Sequence, residues 1–228
     1  MCVKVKIKAP CFGHLGDDQM KLYDYELSGN CYKVRLFLSI LDLSFDTQTV
    51  DFYPGREHKL EALLALNPLG QLPIFEDAGQ VLCGSDVILS HIAENYDKSG
   101  LWYPPKQRLD IDKWMRVADE ITATASAARL HDTLFYDLDI ATARAGAERL
   151  FRNLDEHLWF SEQRGDNWIV PAPFPTLADI TCFPYVALSE EGGISRVDYP
   201  AIRRWCDRIK RIDGFIPMPG IFPTSKAA

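Results

Sequence analysis

The sequence predicts an α/β N-terminal domain of order βαβαββα followed by an all-α C-terminal domain. Three observations carry this. Residues 20–97 alternate period-two apolar runs with stripes at helical spacing. Strand signals stop beyond Trp102-Tyr103-Pro104-Pro105. From there to residue 228, apolar residues recur only at helix-like intervals.

The first strand is Lys21-Leu22-Tyr23-Asp24-Tyr25, which alternates from Met20 onward. Val34, Phe37, Leu38 and Leu41 then recur at i, i+3, i+4 and i+7, one face of a helix. A second strand is expected around Phe45 to Phe52, then a polar stretch from Tyr53 to Lys59 and a short apolar segment through Leu66. Asn67-Pro68-Leu69-Gly70 is a turn by composition. After it, Gln71-Leu72-Pro73-Ile74-Phe75 and Gln80-Val81-Leu82 flank Asp77-Ala78-Gly79 as a hairpin. Leu89, Ile92, Ala93 and Tyr96 give the closing helix, and residues 98–107 read as a linker.

In the second domain, residues 108–228, three stripes predict helices: Ile111, Trp114, Met115, Ala118; then Leu150, Phe151, Leu154, Leu158; then Ile202, Trp205, Cys206, Ile209. Thr176-Leu177-Ala178-Asp179 has capping-box spacing and starts a further helix, which Pro184 is expected to interrupt. The tail Gly214–Phe222 is apolar and proline-rich, so it should be non-helical and fold back as a lid or patch the core. Ahead of the first domain, Val3-Lys4-Val5-Lys6-Ile7-Lys8 alternates like a lysine-guarded edge strand. Pro10, Gly13, Gly16 and Asp17-Asp18 separate it from the strand at Met20, so residues 1–19 are read instead as an extension.

Composition narrows the function. With 47% hydrophobic residues among 228, the chain can bury one sizeable core or two modest ones. A net charge of −7, from 25 basic and 32 acidic residues, offers no footprint for nucleic acid or an anionic membrane. The six cysteines, at 2, 11, 31, 83, 182 and 206, show no Cys-x-x-Cys and no ligand-like pairing with the five histidines, so no metal site is expected. Scattered thiols suit a reducing cytoplasm. No apolar run nears the roughly 18 residues that cross a bilayer, and no secretory signal core opens the chain.

Ser28-Gly29-Asn30-Cys31 lies where the first strand turns into the first helix. Such a turn leaves backbone N–H groups unpaired at the positive end of a helix dipole, which favours an anion such as a thiolate. A serine there also simply caps a helix.

Four stretches, in order and spacing, resemble the cytosolic glutathione S-transferase family: Ser-Gly-Asn-Cys-Tyr-Lys-Val-Arg-Leu (28–36), Glu57-His58-Lys59, Ala65-Leu66-Asn67-Pro68-Leu69-Gly70-Gln71-Leu72-Pro73, and Gly84-Ser85-Asp86-Val87-Ile88-Leu89. Asn-Pro-x-Gly-x-Leu-Pro is the most specific of them, and the likeness spans about residues 20–222. The resemblance implies a thioredoxin-like N-terminal domain, glutathione as co-substrate and a small apolar electrophile as the second substrate. It also implies a homodimer and a detoxifying role.

Carried over to this chain, Ser28 donates a hydrogen bond to the glutathione sulfur, as in bacterial serine-type members. Lowering a thiol pKa of about 8.5 by two units needs about 2.7 kcal/mol of thiolate preference, within reach of one charge-assisted hydrogen bond and a helix N-terminus. Asn30 belongs to the same turn. His58 and Lys59 bind the glycine carboxylate. Pro73 is the family's cis-proline, with Leu72 turned toward the cysteinyl amide and Gln71 beside it. Ser85 holds the γ-glutamyl carboxylate.

Two rivals to Ser28 stand. Cys31 makes a Ser-x-x-Cys motif, and Tyr23 and Tyr25 lie where tyrosine-type members place their hydroxyl. The chain also departs from the family at Gly84, where an acid normally precedes the serine and pairs with the γ-glutamyl amine. That charge falls to Asp86 or to a partner subunit, unless Ser85 and Asp86 merely cap the helix. Besides conjugation, the same site suits glutathione-dependent peroxide reduction, dehalogenation or isomerisation. Loss of the acid suits a non-catalytic, transferase-like binding protein.

Overall fold

The computed structural model describes residues 20–224. The reading of residues 1–19, with Cys2 and Cys11, lies outside the described residues.

Four short strands form one mixed sheet: β1 Lys21–Asp24, β2 Asp46–Thr49, β3 Ile74–Asp77 and β4 Gln80–Cys83, in spatial order β2-β1-β3-β4. β1 and β2 are parallel, joined by α1 Gly29–Ile40 as a βαβ crossover. β3 runs antiparallel to β1 and turns tightly into β4. α2 Glu61–Leu66 precedes β3, and α3 Ser85–Tyr96 comes after β4. The observed order is the expected βαβαββα. Strand boundaries moved inward: β3 starts at Ile74, because Pro73 has no N–H to give the ladder and Gln71 and Leu72 lie ahead of it.

Alternation along β1 sorts the two faces. Leu22 and Phe75 point into the main core with Val34, Phe37 and Leu38 of α1 and Ile88, Leu89 and Ile92 of α3. Tyr23 and Ile74 point the other way, onto Val50 and Leu63. The helix stripes read from sequence are therefore the buried faces.

The rest is helical: α4 Arg108–Ile121, a π-helical turn Thr122–Ser126, α5 Ala127–Leu134, α6 Ile140–Gln163, α7 Leu177–Ala187 and α8 Pro200–Ile209. The capping box closes as expected, with Asp179 accepting from the Thr176 N–H at 2.9 Å. Pro184 does not interrupt the helix. α7 runs unbroken through it, because all eleven of its residues are buried, and packing offsets the roughly 3 kcal/mol that an internal proline costs.

One continuous core joins the two halves. The linker takes part: Trp102 packs edge-on against Phe37 at 5.2 Å, and its carbonyl accepts from the Leu177 N–H at 2.9 Å. The tail patches this core. Met218 and Ile221 are buried, and the tail's backbone carbonyls at Gly214 and Ile216 accept from Ser39 Oγ at 2.8 Å and the Tyr32 hydroxyl at 2.7 Å.

Candidate functional site

Ser28 is the N-cap of α1, with an extended backbone and a side chain that accepts the Cys31 N–H at 3.2 Å. Its backbone oxygen accepts the Tyr32 N–H at 2.9 Å. Capping therefore occurs, and the same hydroxyl also has the buried Cys31 thiol as a side-chain neighbour. An accepted hydrogen bond also polarises that O–H.

The loop that presents Ser28 is held at each residue. Ser28 N–H donates to Tyr25 O at 2.9 Å, Arg35 donates to Glu26 O at 2.9 Å, and Arg129 of α5 donates to Leu27 O at 2.7 Å. Arg129 also pairs with Glu191 at 2.5 Å, so the helical region grips the turn.

Cys31 is 0% exposed, and burial pushes its thiol up to about 12. It stays protonated, with the Asp24 carboxylate and the Ser28 hydroxyl as side-chain neighbours. A Cys31→Ala variant should change turnover less than about twofold, read by steady-state kinetics, because a neutral buried thiol is not a nucleophile. Tyr23 is committed elsewhere: its hydroxyl donates to Glu76 at 2.9 Å, and burial and that carboxylate raise its pKa. Tyr25 stacks on Phe52 at 5.4 Å, with Arg129, Asp51 and Tyr136 near its hydroxyl.

The second group gathers around Gly70. Lys59 Nζ donates to Leu69 O at 3.1 Å and Gly70 O at 3.3 Å. His58 is buried and stacked on Phe52 at 3.9 Å, with Nδ1 unpartnered among the described residues. Burial first, then Lys59 and Arg56, lower its pKa, so the ring is neutral and offers an N–H rather than a charge. Gln71 is exposed and Leu72 half-buried, just ahead of the cis Pro73. Asn67 pins this loop, donating to Gln71 O at 2.9 Å and accepting from the Leu69 N–H at 3.1 Å.

The third group opens α3. Gly84 is its N-cap at φ 93°, a conformation that favours glycine, and no side chain caps the helix. Asp86 is the acidic residue of the first turn of α3, at the positive end of the helix. The Asp86 carboxylate folds back: its Oδ1 lies 2.9 Å from where a Cβ on Gly84 would stand. The carboxylate thus fills the space that a residue-84 side chain would enter.

Two residues of the helical region that sequence reasoning did not single out, Arg129 and Tyr185, pack against the Ser28 turn. Tyr185 reads as one more apolar core residue of α7. No local signal marked it: only in the fold does Gly29, in the first turn of α1, come so close that a Cβ there would sit 2.7 Å from the Tyr185 ring. Among the described residues, no group of acids, histidines and cysteines is arranged to hold a metal ion, and no helix is long and apolar enough to cross a membrane.

Residues 22–100 match the model of the glutathione S-transferase N-terminal domain. A maleylacetoacetate isomerase of Pseudomonas aeruginosa is 28% identical over 198 residues, covering 82% of this chain and 90% of that protein. Glutathione S-transferase F13 of Arabidopsis thaliana is 26% identical over 212 residues, covering 89% and 96%. The crystal structure of a glutathione S-transferase from Pseudomonas fluorescens superposes with a TM-score of 0.78 at 26% identity, covering 88% of this chain and 99% of that one. Residues 22–100 thus form a glutathione S-transferase N-terminal domain, and the chain as a whole, with its thioredoxin-like sheet and helical region, is similar to glutathione S-transferases along most of its length.

Proposed function

We propose that the protein is a glutathione transferase in which Ser28 stabilises the glutathione thiolate for attack on an apolar electrophile. The observation that carries this is the place of Ser28 as N-cap of α1: Oγ takes the Cys31 N–H at the positive end of the helix, so a sulfur bound there meets a hydroxyl that can turn its proton toward it. The thiol loses its proton to solvent. The thiolate lone pair then forms the carbon–sulfur bond as the leaving group departs with its own electron pair. Rate comes from thiolate availability and from holding both reactants in one cleft.

Around the sulfur, this reading assigns the rest of glutathione. The Leu72 backbone ahead of Pro73 takes the cysteinyl amide, with Gln71 beside it. His58 and Lys59 face the glycine carboxylate, His58 by its N–H and Lys59 by its charge. Asn30 lines the turn. Ser85 takes the γ-glutamyl carboxylate at the start of α3, and Asp86, folded over Gly84, takes the γ-glutamyl amine in place of the missing acid. Asp86→Asn should raise KM for glutathione about tenfold with kcat nearly unchanged, the effect of losing one charge-assisted contact far from the sulfur. An unchanged KM would return that amine to a partner subunit.

The domains divide at residues 20–97 and 108–228, with 98–107 between them, and the protein works as a cytoplasmic homodimer. Glutathione-dependent isomerisation is the second reading, favoured by the similarity to an isomerase along most of the chain. There the thiolate adds to a conjugated double bond and leaves again, so no conjugate accumulates. Retention on immobilised glutathione, followed by assays with an aryl halide and with a cis-enedione, separates the readings. Failure to bind at millimolar glutathione would leave only a non-catalytic relative.

A further inference from the structure

We propose that the Tyr185 hydroxyl, supplied by the helical region, is a second hydrogen-bond donor to the bound sulfur. The inference rests on the glutathione reading of the Ser28 turn. Tyr185 lies on α7 and is 6% exposed. Its ring is flush against the first turn of α1: a Cβ on Gly29 would lie 2.7 Å from both Cε1 and Cζ. Cζ carries the hydroxyl, so the phenol oxygen is delivered to that turn.

The oxygen lies within electrostatic reach of the Asn30 backbone N–H and the Ser126 hydroxyl. The amides of Asn30 and Cys31 are adjacent in the first turn of α1, where N–H groups point outward along the axis. Ser28 Oγ holds the Cys31 amide, and the Tyr185 oxygen lies near the Asn30 amide, so both hydroxyls stand at the positive end of the helix. The Ser28 hydroxyl is polarised by the amide it accepts from. Burial raises the Tyr185 pKa, so the phenol keeps a proton to give.

The π-helical turn supplies the remaining partner. An α-to-π transition inserts one residue into the hydrogen-bond ladder and re-aims the side chains beyond it, and such turns concentrate at functional sites. Here Ser126 closes that turn, is buried, and faces Tyr185.

The charged and titratable groups facing Tyr185 come from several elements. Cys31 and Lys33 belong to α1 and Arg129 to α5, with the Lys33 ammonium 5.6 Å from the ring centroid. Lys33 in turn faces Cys182 of α7, Asp119 of α4 and Asp86 of α3, and burial pushes it down to about 8. All of these persist in Tyr185→Phe, so a comparison with the unaltered protein isolates the hydroxyl.

The test is a titration of thiolate ultraviolet absorbance in the glutathione complex of the full chain. Tyr185→Phe should raise the midpoint of thiolate formation by about one pH unit and lower kcat at neutral pH about tenfold, leaving KM for glutathione within about twofold. A residue that only packs would not move the midpoint. An unmoved midpoint overturns the proposal. A lowered midpoint overturns it too, because the phenol would then be competing with sulfur for the Asn30 amide. If Tyr185→Phe does not fold, Ser126→Ala replaces it and should shift the midpoint the same way; no shift there also overturns the proposal. Absence of a thiolate signal in the unaltered protein would instead remove the glutathione reading beneath it.

Discussion

Ser28→Ala should lower kcat/KM for conjugation about 100-fold, the usual cost of deleting one donor aimed at a developing or resident anion. Because Ser28 also caps α1, the same change should cost about 1 kcal/mol of stability. The two roles separate in Ser28→Asp. Aspartate is as good an N-cap as serine, but its carboxylate has no proton to give and repels a thiolate. Its melting temperature should stay near that of the unaltered protein while turnover falls at least as far as in Ser28→Ala. If Ser28→Asp keeps its activity, the serine is a cap and nothing more.

The largest stability effect should come from Asp179→Ala, far from the sulfur. Asp179 is 0% exposed. Its carboxylate accepts from Thr176 N at 2.9 Å, Thr176 Oγ1 at 3.4 Å, Ile169 N at 3.0 Å and Trp205 Nε1 at 2.8 Å. Burial raises its pKa, and these donors pull the other way. Truncation would strand buried donors from three segments at once, the α7 start, the loop before it and α8. Each unsatisfied group costs about 1–3 kcal/mol, so a loss of roughly 4 kcal/mol is expected by denaturant unfolding. Asp179→Asn should lose less, since its amide still accepts on one side. Equal losses for alanine and asparagine would mean that charge, not hydrogen bonding, holds this corner.

Most of the fold was legible because its signals are local. The stripe Val34, Phe37, Leu38 is the buried face of α1, and Thr176 to Asp179 closes its capping box where the spacing placed it. Pro184 misled, because a proline's local cost says nothing of a helix buried along its whole length. The strand ends were similarly blurred. Gln71 and Leu72 continue the apolar alternation into β3, but the ladder begins only at Ile74.

The site was half legible. Residues adjacent in sequence, such as Ser28 to Cys31 or Gly84 to Asp86, could be read as turns with a chemical bias. Contacts between distant residues could not. Nothing local to Arg129 says that it donates to Leu27 O across 102 residues of sequence, nor to Tyr185 that it covers Gly29. Competition within the site was hidden for the same reason. Cys31 sits next to the helix start, where a thiolate is favoured, yet complete burial outweighs the dipole and keeps it protonated.

The central claim is that glutathione binds with its sulfur at Ser28. A crystal structure of the protein soaked with glutathione tests this most directly. The account predicts sulfur within hydrogen-bond distance of Ser28 Oγ, the cysteinyl amide on Leu72 and the γ-glutamyl amine beside Asp86. Sulfur bonded to Cys31, or lying against Tyr23 or Tyr25 with Ser28 untouched, would contradict it.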